Sequence, residues 1–108
     1  MVDPKQRYDE IVDDLVARTD DLVPGQMMGM PCVKRAAKMV AGFAASSGAM
    51  VFKLPDPDQR DAALALEGAE LFDPSGRGRP FKEWVEVPPA HADRWPEFAE
   101  AAIVMPSG

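Results

Sequence analysis

Two mainly apolar runs, rich in β-branched and aromatic residues, lie between Lys38 and Pro55 on either side of a short turn that contains Gly48. Alternate residues of the second half fall on opposite faces of a strand, with Met50, Phe52 and Leu54 on one face and Ala49, Val51 and Lys53 on the other. Glycine readily takes the positive φ that a tight connection needs. The pattern therefore predicts a β-hairpin in which residues 38–45 and 50–54 pair as antiparallel strands.

Three other stretches repeat apolar residues at the spacing of an amphipathic helix. The first opens with Asp3-Pro4-Lys5-Gln6, in which the aspartate can cap the helix and the glutamine can return the hydrogen bond. It runs to about Thr19, and its apolar stripe comprises Tyr8, Ile11, Val12 and Leu15. The second opens with the similar Asp56-Pro57-Asp58-Gln59 and ends at Gly68. The third carries an apolar stripe at Trp95, Phe98, Ala99, Ala102 and Ile103.

The remaining segments predict three more strands. Pro24 and Gly25 are expected to turn the chain before a strand at 26–35, in which Pro31 favours a position at an edge or a bulge. Short strands are predicted at 70–73 and 81–87, joined by a loop rich in proline and glycine. The order helix, three strands, helix, two strands, helix indicates an α+β fold, a two-layer domain with an antiparallel sheet. We expect residues 1–108 to form a single domain.

Composition and charge narrow the classes of function. The chain has 108 residues and a net charge of −6, which disfavours general attraction to nucleic acid or anionic lipid. No apolar run approaches the ~20 residues that cross a bilayer, and the N-terminus has no signal-peptide pattern, so we expect a soluble cytoplasmic protein with no membrane contact. Cys32 is the only cysteine, which excludes an intramolecular disulfide and favours a buried structural thiol.

Four stretches of the sequence carry a resemblance to a known family: 27–32 (MMGMPC), 51–55 (VFKLP), 71–74 (LFDP) and 78–85 (GRPFKEWV). On these landmarks the chain resembles the TfoX N-terminal domain-like proteins, bacterial relatives of the TfoX/Sxy competence regulators, over nearly its whole length. Met28 stands where the family usually has phenylalanine, and because both side chains are large and apolar we interpret the difference as repacking.

The resemblance implies a fold with the same order of helices and strands, similar also to the YjbR-like proteins, and a family without established catalysis. Full-length competence regulators carry a second, C-terminal domain, for which a chain ending at Gly108 has no room. We therefore do not expect the competence role itself to carry over. The expectation is a small, non-enzymatic protein-interaction or regulatory module.

Basic residues are unevenly distributed and suggest a binding patch. Residues 22–55 contain no acid but include Lys34, Arg35, Lys38 and Lys53, and Arg77, Arg79 and Lys82 follow later. If the strands of Lys53 and Lys82 are neighbours, these side chains could meet phosphate or carboxylate groups, as in a transcription-related regulator that contacts nucleic acid. The alternative is that they solvate a sheet face and pair with Glu83 and Glu86. No DNA-binding motif accompanies them.

Trp84 is the aromatic residue most suited to a contact surface, because strand alternation places it with Lys82 and Glu86 on the outer face. The alternative places it in the core. The same alternation assigns several small apolar residues to the outer face, namely Val40, Gly42, Ala44, Ala49 and Val51. An exposed apolar patch usually marks a contact, and a symmetric homodimer is the simplest one. We expect it to involve Val51, Lys53, Trp84 and Val40.

The sequence contains no recognisable catalytic constellation. His91 is the only histidine and has no partner at metal-ligand or triad spacing. Adjacent carboxylates such as Asp13 and Asp14 lie on a polar helix face, away from any apolar pocket that would separate their pKa values. We predict no catalytic residue, no metal and no cofactor. The candidate partners are a second copy, an unidentified protein and nucleic acid.

Overall fold

Three helices and a six-stranded antiparallel sheet make up the computed structural model, which describes residues 3–27, 30–35, 38–44, 47–54, 56–72 and 83–104. The helices are α1 (Pro4–Arg18), α2 (Pro57–Leu64) and α3 (Trp95–Val104), with a 3-10 helix (Pro89–Arg94) leading into α3. The strands are β1 (Leu22–Met27), β2 (Met30–Arg35), β3 (Lys38–Ala44), β4 (Ala49–Lys53), β5 (Glu70–Leu71) and β6 (Trp84–Val87). The predicted α+β class is confirmed.

The helices begin where the capping residues predict. The Asp3 carboxylate accepts a hydrogen bond from the Gln6 N–H, and the Asp56 carboxylate accepts one from the Asp58 N–H at 3.0 Å. Each cap is followed by a proline in the first turn, where its missing N–H costs nothing. α2 ends at Leu64, four residues before Gly68, which was expected to end it; Gly68 lies in the following turn, with a φ of +85° that other residues rarely adopt.

The central hairpin also forms as predicted. β3 and β4 pair antiparallel, with Ala41 opposite Phe52 and Phe43 opposite Met50. Gly48 takes a φ of +74° in the turn between them. The end of the first predicted strand, at residue 45, lies outside the described residues.

The prediction for the segment after α1 is wrong. Pro24 and Gly25 do not turn the chain but lie within β1. The predicted strand at 26–35 is divided between β1 and β2, and these two strands pair with each other, with Leu22 opposite Arg35 at one end and Met27 opposite Met30 at the other. Proline is tolerated because β1 lies at the edge of the sheet, where one side of the strand needs no ladder partner. The prediction that Pro31 lies at an edge or a bulge is also wrong: β2 stands between β1 and β3, the bulge lies at Val33 and Lys34, and the pairing of β2 with β3 begins only at Cys32, since Pro31 has no N–H to donate.

The sheet order is β1-β2-β3-β4-β6-β5, so the strands of Lys53 and Trp84 are neighbours. The last two strands pair with each other as predicted but are shorter than 70–73 and 81–87, and residues 73 and 81–82 lie outside the described residues. The three helices pack on one face of the sheet. The largest fully buried side chains of that core are Trp95, Phe52, Phe98, Met50 and Leu54.

Candidate functional site

The sheet face opposite the helices, here called the second face, holds most of the predicted site residues. Strand alternation places Val51 and Lys53 on it, because Met50 and Phe52 belong to the helix-side core. Its other members follow from the register and from the side-chain contacts: Met30, Cys32, Lys34, Met39, Gly42, Ala44, Ala49, Glu70, Phe72, Trp84 and Glu86.

Val40 does not belong to the second face, contrary to the sequence prediction. The β2–β3 register shifts between Val33 and Lys34, which pair with Ala41 and Met39 and leave Val40 without a partner on β2. This bulge turns Val40 into the helix-side core, where it is buried. A bulge of one residue is enough to reverse the face of every residue beyond it.

Val51 does lie on the second face, but the expectation that it forms an exposed apolar patch is wrong. Its exposure is 0%, and those of Ala49 and Ala44 are 2% and 8%. Val51 and Ala44 form a small second core with Phe72, against which Met30 and Trp84 pack. The terminal Cε of Met30 lies 2.8 Å from where a Cβ at Gly42 would be, so the glycine makes room for the methionine. Side chains, not solvent, cover the middle of this face.

Trp84 is half-buried at the margin of the second core, on the outer face that strand alternation predicts. Its backbone carbonyl accepts a hydrogen bond from the Phe72 N–H at 2.8 Å, which holds Phe72 beside it. Lys53 is its partner across β4 and β6 and is also partly exposed. Of the cation–π contacts among the described residues, none joins Lys53 to Trp84.

The predicted basic patch is only partly assembled. Lys34 leans towards the edge of the sheet, with its Nζ 3.7 Å from the position that a Cβ at Gly25 would take. Arg35 is engaged on the other side of the sheet, where its guanidinium pairs with Asp21 at 2.7 Å and donates to the Ile103 carbonyl. Lys38 is exposed and in register with Arg35. Arg77, Arg79 and Lys82 lie outside the described residues.

Two acidic residues of the second face lie directly opposite each other. Glu70 and Glu86 are direct partners across β5 and β6. Burial, and secondarily the negative charge of Glu70, raise the pKa of Glu86 above its ordinary value. Within the ranges that the structure describes, neither carboxylate has a basic partner within 4.0 Å, and neither Lys34 nor Lys53 has an acidic one.

The one cysteine and the one histidine belong to different elements, Cys32 to β2 and His91 to the 3-10 helix. Cys32 is buried, and burial raises the pKa of its thiol, although Lys34 acts in the opposite direction. His91 Nε2 lies 2.8 Å from the Glu67 carbonyl oxygen. Among the described residues no group of three or more His, Cys, Asp or Glu side chains could hold a metal ion. None of the described helices is long and apolar enough to cross a membrane.

Sequence reasoning missed the residues that cover the second face, chiefly Phe72, Met30 and Met39. Phe72 follows the two-residue strand β5, and only the pairing of β5 with β6 brings it across to Trp84 and Val51. The prediction that these two strands pair was the one signal that could have found it. Met39 was missed with Val40, since the same bulge decides which of the two reaches this face.

No family model, no curated protein and no solved structure matches this chain. The resemblance to the TfoX N-terminal domain-like proteins therefore stays a prediction from the sequence.

Proposed function

We propose that this chain is a non-enzymatic protein-interaction module, of the kind that the TfoX-like resemblance implies, and that it self-associates through the margin of the second face. The observation that carries the proposal is the pair Trp84 and Lys53. They are cross-strand neighbours, both partly exposed, and no cation–π contact or ion pair among the described residues engages the lysine. Tryptophan is among the residues that contribute most strongly to protein interfaces.

A second copy of the chain fits this surface because its charges are self-complementary. The β2–β4 side carries Lys34 and Lys53, and the β5–β6 side carries Glu70 and Glu86. A two-fold axis parallel to the strands and between β4 and β6 exchanges these two strands. Trp84 of one copy then faces Lys53 of the other, and each lysine gains a nearby carboxylate.

The association is expected to be weak. The residues that would supply most apolar area, Val51 and Ala44, are already covered within one chain, so little further apolar surface can be removed from water. Stable interfaces bury about 800 Å² on each partner. We expect a dissociation constant in roughly the upper micromolar range, where electrostatic contacts still matter and salt weakens them.

Sedimentation equilibrium over a concentration series up to about 1 mM tests the proposal. The average mass of the wild type should rise with concentration, and Trp84→Ala and Lys53→Glu should each raise the dissociation constant about tenfold or more. Lys5→Glu is the matched control, since it makes the same charge change on α1, on the other side of the sheet. Wild type that stays monomeric throughout ends the proposal, as does equal weakening by Lys5→Glu.

Val51→Asp is unsuited to this test. Because Val51 has no exposed surface, an aspartate there would bury an unpaired charge and unfold the chain whether or not a dimer exists. Trp84→Ala and Lys53→Glu change partly exposed side chains, and circular dichroism can show that both variants keep the wild-type fold.

The second candidate is a transcription-related regulator that contacts nucleic acid through the basic residues at 34–53 with Arg77, Arg79 and Lys82. Lys34 and Lys53, which have no acidic partner in the described parts of the chain, favour it. The engagement of Arg35 by Asp21 counts against it. Labelled duplex DNA distinguishes the two: a regulator binds it with an affinity that falls steeply with salt and falls further in Lys53→Glu, whereas the interaction module shows no binding.

A further inference from the structure

Three sulfur-bearing side chains meet around Gly42 on the second face, and together they are called the sulfur cluster. Cys32 of β2 lies directly opposite Gly42 of β3. The Sδ of Met39 lies 3.6 Å, and the Cε of Met30 2.8 Å, from the position that a Cβ at Gly42 would take. The Cβ positions of directly opposed residues are about 4.5–5.5 Å apart, so the Cys32 thiol belongs to the same cluster. Glycine at this position leaves the space that the two methionines occupy.

Cys32 has a second glycine on its other side. Gly25 of β1 lies directly opposite it, so neither neighbouring strand places a side chain beside the thiol. Long, flexible side chains cover it instead, since the Cε and Nζ of Lys34 lie 3.6 and 3.7 Å from the Cβ position at Gly25. Cys32 is 1% exposed, and within the described ranges no hydrogen bond engages its thiol. The thiol is therefore a buried polar group without a partner, under a cover that can move.

Sulfur atoms are the metal-binding groups that this part of the sheet offers. The stretch 22–55, which includes β1 to β4, contains no aspartate, glutamate or histidine. Glu86 lies in the same cross-strand row as Gly42 but beyond Val51, two strand spacings or about 10 Å away. Thiolate and thioether sulfurs are soft ligands, and among metal ions they favour Cu(I).

We propose that Met30, Cys32 and Met39 bind one Cu(I) ion. The ion replaces the thiol proton, which passes to solvent, and copper keeps its oxidation state. One thiolate, two neutral thioethers and one monovalent cation carry no net charge together, which suits a site removed from water. A divalent ion such as Zn²⁺ would leave a positive charge there beside Lys34. The charge balance and the soft ligands therefore select the same ion.

The sulfur cluster combines one fixed ligand with two adaptable ones. Cys32 is held in the middle of the sheet by pairing on both sides. Methionine is unbranched, with three rotatable bonds, and Met30 is partly exposed while Met39 is 8% exposed. Three sulfurs about 2.3 Å from one ion are about 4 Å from each other, a distance that rotation of the methionines can reach. The site includes neither residue of the proposed Trp84–Lys53 contact, so the two proposals fail or succeed separately.

Competition with bicinchoninate, which forms a coloured Cu(I) complex, tests the inference. Cu(I) is supplied under nitrogen as its acetonitrile complex, and the wild-type chain should withdraw one ion per chain from the chelator. Met30→Leu and Met39→Leu should each weaken binding about tenfold or more, and Cys32→Ala about a hundredfold or more. Met50→Leu is the matched control, because it makes the same change in the helix-side core and should leave affinity within about twofold.

NMR of the methionine methyl groups gives a second measurement, on the wild type. Ag(I) is the probe, since it is soft and monovalent like Cu(I) but is not oxidised in air. The Met30 and Met39 methyl resonances should shift until one equivalent is added, and that of Met50 should not.

Four outcomes overturn the inference. The first is a chain that withdraws no Cu(I) from bicinchoninate. The second is one ion per two chains, which would mean an ion shared between copies. The third is affinity that survives both Met30→Leu and Met39→Leu, since the thiol alone would then hold the ion. The fourth is equal weakening by Met50→Leu, or equal Ag(I) shifts at Met50, which would mean binding without a defined site.

Discussion

The two faces of the sheet are both closed to water in the middle, but by different means. On the helix side, Phe52 is covered by three helices and packs against Phe98 with ring centroids 6.0 Å apart. On the second face, Val51 is covered by individual side chains such as that of Phe72. Phe72 is held in place by the short pairing of β5 with β6. The charges at the margins differ as well: Arg35 is paired with Asp21, whereas Glu70 faces Glu86. Burial alone therefore does not show which side of a sheet the fold depends on most.

Truncation of two adjacent residues should give the largest effect. Phe52→Ala removes a ring from the helix-side core and is expected to cost about 3–5 kcal/mol of unfolding free energy. Val51→Ala removes two methyl groups from the second core and should cost about 1–2.5 kcal/mol, since the residue is equally buried but its cover is thinner. Urea unfolding measures both.

Val23→Ala is the control for that comparison, because Val23 is 59% exposed and its truncation should stay within about 0.5 kcal/mol of the wild type. If Val51→Ala were as harmless as Val23→Ala, the second core would have no stabilising role, and the side chains over it would have to be considered displaceable.

Glu70→Gln should give a smaller effect with the opposite sign. Removing one of two directly opposed carboxylates is expected to stabilise the chain at neutral pH by about 0.2–0.5 kcal/mol. Because burial is the main cause, the pKa of Glu86 should fall but stay above its ordinary value. A carboxyl whose pKa is raised on folding favours the folded state below its unfolded pKa, and this contribution disappears as pH rises through the folded pKa.

NMR titration of the Glu86 carboxyl, with urea unfolding at neutral pH, checks this prediction. Glu83→Gln makes the same charge change at an exposed residue next to β6 and should leave the Glu86 pKa close to the wild-type value. A Glu86 pKa that is unmoved by Glu70→Gln would mean that burial alone sets it.

Arg35→Gln should give the smallest effect, a change in the pKa of one exposed carboxyl group, that of Asp21. The hydrogen bond from Arg35 lowers the pKa of Asp21 below its usual value. The pair therefore contributes stability above the unfolded pKa of Asp21, and the contribution is lost as pH falls through the folded pKa. NMR titration should show the Asp21 pKa rising in Arg35→Gln and unchanged in Lys34→Gln. An equal rise of the Asp21 pKa in both variants would mean that the overall positive charge nearby, and not the hydrogen bond from Arg35, sets this pKa.

The sequence correctly predicted those features that depend on interactions between residues close together in the chain. The caps at Asp3 and Asp56 and the glycine turn at Gly48 each depend on neighbours within three or four residues, and all three form. The failures involve distant partners. Pro24 could enter a strand only because β1 lies at the edge of the sheet, and a sequence does not show which strand is last.

The candidate site was harder to predict for the same reason. Strand alternation put Lys53 and, in one of two alternatives, Trp84 on the outer face, but only the structure shows that the two are cross-strand partners. It failed at Val40, where a one-residue bulge intervenes, and it could not show that Phe72 covers Val51, since that contact depends on the pairing of β5 with β6. Periodicity assigns a residue to a face but does not show what lies over that face.

Pro24 has a further consequence for how this protein behaves when it is crowded. An edge strand has unpaired amides that can pair with a strand of another chain. Val23, the exposed large hydrophobic residue among those described, makes β1 more prone to such pairing and so to fibril formation. Pro24 withholds one donor from that template, and at the opposite edge β5 is only two residues long. Both edges of the sheet are thus poor seeds for cross-β polymers, and the proposed pair of copies, formed on a face of the sheet, would close on itself instead of growing without limit.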